Sequence, residues 1–146
     1  MANISLKNYQ DRLEKLLERN EFNEVVAHSR HILKSFPKNL TAYRQLGLAL
    51  YGMSRSDEAA ELFRRLLGAL PNDFVAHYHL ALIYERQKQF EDAIWHLERA
   101  FDQQPNSKEI IDKLRQLYKA QRGIDVQRLQ LTAGAVAQQH IRNNLY

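Results

Sequence analysis

Apolar residues recur along this chain at helical spacing, and the whole pattern returns every 34 residues. Counting Leu6, Leu40 and Phe74 as position 1, positions 4, 7, 8 and 11 read Tyr9, Arg12, Leu13, Leu16, then Tyr43, Leu46, Gly47, Leu50, then His77, Leu80, Ala81, Tyr84. At about 100° per residue these four positions share one helix face. Positions 20, 24 and 27 read Val25, Ser29, Ile32, then Ala59, Phe63, Leu66, then Ala93, Leu97, Ala100. They form the facing stripe of a second helix. The small residues at positions 8 and 20 are expected to meet and let the paired helices approach closely.

The punctuation obeys the same period. Pro37, Pro71 and Pro105 are the only prolines, and a residue without a backbone N–H marks a helix end rather than a middle. Two residues after each stand Asn39, Asp73 and Ser107, and Ser5 stands one period earlier. All four are strong N-cap types, so the frame predicts four helix starts. Between them, "NEFNEVV", "SRSDEAA" and "KQFEDAI" place acids where a helix N-terminus favours negative charge. Each unit is therefore two helices joined by a short turn.

This 34-residue pattern resembles the tetratricopeptide repeat (TPR) family, whose helix–turn–helix carries an aromatic residue, Leu, Gly, Tyr, Ala, Phe, Ala and Pro in this frame. The second unit keeps Tyr43, Leu46, Gly47, Ala59, Phe63 and Pro71; the third keeps Leu80, Ala81, Tyr84, Ala93, Ala100 and Pro105. The first departs, with Arg12 and Val25 where Leu and Ala are usual. The resemblance implies an all-α fold, a right-handed α-solenoid of stacked antiparallel helix pairs. Repeats are expected at 4–37, 38–71 and 72–105, then a divergent helix and linker at 106–130, all in one domain that a longer protein could contain. If counting restarts at Gln130, Val136 and Ala137 take positions 7 and 8, and Tyr146 the aromatic position 17. Residues 131–146 read either as half a repeat cut at its turn, the favoured reading, or as a capping helix.

Composition narrows the function. The chain has 146 residues and no cysteine, which excludes disulfides and thiolate chemistry. No stretch approaches a membrane span and no signal peptide is visible, so a cytoplasmic setting is expected. The net charge is +4, but the balances over 1–37, 38–71, 72–105 and 106–146 are +1, +2, −3 and +4, without a basic stripe. Nucleic-acid and membrane partners are therefore not expected. No phosphate loop, nucleophile elbow or zinc-binding helix motif occurs, so no enzyme, cofactor or small-molecule substrate is expected. His28 and His31 share a helix face without a third ligand, so no metal site is expected. His77 takes an aromatic position and reads as packing.

Binding remains. In the solenoid that the resemblance implies, positions 2, 5, 9 and 12 of each first helix line a concave groove. There Leu48, Tyr51, Val75, Tyr78 and Leu82 make an apolar and aromatic centre, with Arg44, His79 and Lys119 beside it. Grouped exposed apolar residues usually mark a contact surface, although packing against a neighbouring repeat would use the same residues. The TPR clamp for the carboxyl terminus of heat-shock chaperones needs Lys, Asn and Arg where this chain has Gln10, Glu14, Gln45, Val75 and His79. That clamp is absent. The sequence thus points to a scaffold that holds a protein or peptide partner in the groove, or else to a self-association module that forms homo-oligomers.

Overall fold

The computed structural model describes residues 5–122, and every described element is a helix: α1 (Leu6–Glu18), α2 (Phe22–Ser35), α3 (Leu40–Gly52), α4 (Ser56–Ala69), α5 (Phe74–Arg86), α6 (Phe90–Gln103) and α7 (Lys108–Arg122). The chain divides into two compact units, Met1–Pro71 and Asn72–Tyr146. The reading of residues 131–146 as half a repeat or a cap lies outside the described residues, as does the linker after Arg122.

All four predicted N-caps are in place. Backbone N–H groups of Asn8, Ala42, Ala76 and Ile110 donate to the side chains of Ser5, Asn39, Asp73 and Ser107 at 3.2, 2.8, 3.0 and 3.5 Å. These bonds satisfy donors that the first turn of a helix leaves open. The second helices start without a side-chain cap, but α4 and α6 begin with Asp57-Glu58 and Glu91-Asp92, which suit the positive end of the helix dipole.

The turn inside each repeat is made the same way three times. Asn20, Ser54 and Lys88, all at position 15, adopt φ of 59°, 61° and 60°. The N–H before each second helix reaches back to the first helix, Glu21 to Leu16, Arg55 to Leu50 and Gln89 to Tyr84, each at 2.9 Å. Each turn residue itself donates to Leu17, Tyr51 or Glu85 at 3.0 Å. This pair of bonds is the Schellman motif that ends helices through a left-handed residue, here never glycine.

In the first unit α3 packs against α1, α2 and α4. Leu13, Ile32 and Ala42 form one buried cluster, flanked by Leu6, Tyr9, Leu16 and Leu33. A Cβ added to Gly47 would stand 2.9 Å from Cε1 of Phe63, so the glycine at position 8 makes room for the ring at position 24. That ring is the closest neighbour, rather than the small residue at position 20. A Cβ on Gly52 would likewise overlap the Phe22 ring. In the second unit α6 packs against α5 and α7 around Ala81, Ala93, Leu97, Phe101, Ile110 and Leu114.

Two details differ from the sequence reading. Arg12 at core position 7 is exposed, since a guanidinium gains more from water than from an unpaired site in a core. The first helices also bury positions outside the expected stripe: Ala42, Gln45 and Ala49 on α3, Ala76 and Ile83 on α5. His77 is buried, as expected for a packing residue.

Candidate partner-binding surfaces

On α3, the residues expected to line a groove, Arg44, Leu48 and Tyr51, are half-buried. Beside it Gln45 is fully buried and ties α3 to α1: its Nε2 donates to the Gln10 carbonyl and to Oε1 of Glu14, both at 2.9 Å. Gln10 Nε2 in turn donates to Oδ1 of Asn39 at 2.7 Å. The first unit therefore offers a polar, internally bonded rim next to the apolar Leu48 and the Tyr51 ring. Glu14, which argues against a carboxylate ligand, sits in that rim.

On α5, Val75, Tyr78, His79 and Leu82 are all half-buried. Tyr78 stacks on Phe74 at 5.7 Å and 8°, and its ring meets His79 edge-on at 5.4 Å. Its hydroxyl donates to Oε1 of Glu109, linking α5 to α7. The ring also packs against the core cluster of this unit. Tyr78 thus holds two helices together while remaining half-buried. Nδ1 of His79 donates to the Val75 carbonyl at 2.8 Å, since a carbonyl can only accept. Burial lowers the His79 pKa below its ordinary 6.5, partly offset by that carbonyl and by the Glu109 charge. Lys113 bonds to Glu85 at 3.3 Å, a second tie between α7 and α5. Lys119 is exposed on α7.

Sequence reasoning passed over Phe74 as a partner of Tyr78. The Tyr78–Glu109 pair runs from position 5 of one repeat to position 2 of the next, a spacing of 31 that the shared frame makes recoverable. No signal in the sequence marks the hydroxyl as bonded.

His28 and His31 are exposed on α2, with His28 Nδ1 bonded to the Tyr9 hydroxyl. Among the described residues no group of three or more His, Asp or Glu side chains could hold a metal ion, and no helix is long and apolar enough to cross a membrane.

Repeated capped helix pairs with one turn geometry define an all-α helical-repeat protein. Residues 44–108 match the family described as Tetratricopeptide repeat, and residues 1–74 match the one described as Bacterial transcriptional activator domain. The chain belongs to the tetratricopeptide-repeat family and, over its first half, to the bacterial transcriptional activator domain family. Among solved structures it is similar to "MamA RS-1 ArsTM double mutant", with TM-score 0.69 and 19% identity over 95% of this chain and 72% of that one. It is also similar to a chain of "Structure of Naa15/Naa10 bound to HypK-THB", with TM-score 0.62 and 20% identity. That match covers 95% of this chain but 23% of the other. No curated protein matches the sequence at a significant level.

Proposed function

We propose that this chain is a non-catalytic cytoplasmic scaffold that holds a protein or peptide partner. Its contacts are Arg44, Leu48 and Tyr51 on α3, Val75, Tyr78, His79 and Leu82 on α5, and Lys119 on α7. The observation that carries this reading is that, within each unit by itself, apolar side chains at these positions, Leu48 and Tyr51 on α3 and Val75, Tyr78 and Leu82 on α5, are only half-buried, where a solvated helix face would carry polar ones. Membership in the TPR family supports it, since repeats of this kind present extended binding surfaces. One of the similar folds belongs to a chain of Naa15/Naa10 bound to HypK-THB. The match of residues 1–74 to a bacterial transcriptional activator domain agrees with a part that works by contact with other protein segments. The interleaved charges give it no basic stripe for nucleic acid.

A Tyr51→Ala, Leu82→Ala double variant should keep its helicity and lose a captured partner, because truncated anchors at the centre of an interface cost about 2 kcal/mol or more, roughly thirtyfold in affinity. Capture unchanged in a folded variant would move the surface elsewhere. Sedimentation of the parent tests self-association, which requires dimers whose population rises with concentration.

A further inference from the structure

The exposed face of α6 combines an aromatic ring with several carboxylates. Trp95 is 51% exposed there, the most exposed large hydrophobic side chain among the described residues. Helical spacing sets Glu91, Asp92, Glu98 and Asp102 around it, with Arg99 as the basic member. The indole is held rather than loose: His96 meets it edge-on at 4.9 Å and 86°, and His77 lies 5.8 Å away at 62°. The Arg99 guanidinium stands 5.2 Å from the ring centroid, and Arg99 Nε bonds to Oδ2 of Asp102 at 3.2 Å. The ring therefore already accepts a cation from its own helix.

We propose that this face of the third repeat docks a lysine- or arginine-rich segment of a partner protein. A cationic side chain would lie on the Trp95 ring, and Glu91, Asp92 and Glu98 would face the neighbouring charges. Trp is the best of the aromatic rings for a cation and is enriched among the residues that dominate interfaces. The residues of the third repeat carry a balance of −3 in a chain that is otherwise basic, which selects a cationic partner and repels phosphate. Nucleic acid and anionic lipid are thereby disfavoured at this face. The surface is on the second helix of its repeat, so it stands whether or not the proposed α3 and α5 contacts do.

Trp95 is the only tryptophan in the chain, so its fluorescence reports on this face directly. The full chain is titrated with a ten-residue oligolysine peptide, and with oligoglutamate as the comparator. A saturable fluorescence change with oligolysine alone is expected, weakening as salt is raised. By calorimetry, Trp95→Ala should bind about two- to fivefold more weakly, the share of an exposed cation–π contact. An Asp92→Asn, Glu98→Gln variant should lose roughly fivefold. Arg99→Gln should bind more tightly, because it removes the competing cation from the ring. Circular dichroism confirms that each variant is folded. No response to oligolysine at millimolar concentration overturns the proposal, as does an equal response in the charge-neutral variant. A fluorescence change on raising protein concentration without peptide, matched by dimers in sedimentation, overturns it in favour of a second copy as occupant.

Discussion

The first and second repeats share a frame and fill it in opposite ways. At positions 8 and 24 the first repeat has Leu13 and Ser29, and the second has Gly47 and Phe63. The large group sits on the first helix in one and on the second helix in the other, yet all four residues are buried. Burial elsewhere differs as well. Leu13 is the one buried residue of α1, whereas α3, flanked by α1, α2 and α4, buries six. The frame thus constrains the volume shared between paired helices, not the residue at either place, and the number of neighbouring helices decides how much of each is covered.

The largest test of this exchange is Phe63→Ala, which should cost about 3–5 kcal/mol by opening a cavity beside a glycine that cannot fill it. Chemical denaturation measures it; a loss under 1 kcal/mol would mean that the ring is not part of the packed contact. Gly52→Ala should cost about 1–3 kcal/mol, since the new methyl must displace the Phe22 ring. Gly47→Leu should be destabilising in the parent but less so when combined with Phe63→Ala, with a coupling of about 0.5–3 kcal/mol in a double-mutant cycle. Additive costs would sink the idea of a shared volume.

Smaller effects sharpen the contrast. Ser29 is fully buried and its hydroxyl has no partner among the described residues, so the first repeat carries a polar atom where the second carries a ring. Ser29→Ala should stabilise by about 1 kcal/mol, measured by the same denaturation; a loss of that size would reveal a hydrogen bond. The least of the effects is a slope. His79 has its pKa lowered in the fold by burial, so the unfolded chain binds more protons as pH drops below about 6.5. Stability should be level in this respect above that value and decline below it, down to the pH at which the folded chain takes up its own proton. His79→Gln should flatten part of that decline, and identical profiles would show that the imidazole is equally solvated in both states.

Much of the fold was legible because its signals are local. Proline period, cap residues and the stripes at positions 4, 7, 8, 11, 20, 24 and 27 each act within a few turns of helix. What escaped depends on a third helix. Ala42, Ala49 and Gln45 look like ordinary helix formers, and their burial arises where α3 meets neighbours outside its own pair. Spacing singles out the apolar Leu48, Tyr51, Val75, Tyr78 and Leu82, but the bonds from Tyr78 to Glu109 and from Gln45 to Glu14 join residues about one repeat apart, where side-chain length and rotamer decide the contact.

The left-handed residue at position 15 has a consequence for how such chains tolerate change. A left-handed non-glycine residue costs about 1–2 kcal/mol, and here the same two backbone bonds meet that cost under Asn20, Ser54 and Lys88. Amide, hydroxyl and ammonium side chains thus all occur at the point where the chain reverses. The turn is a standardised joint: trading residues 19–21, 53–55 and 87–89 among the repeats should leave each helix pair intact, so a repeat can diverge on its faces while its hinge stays interchangeable.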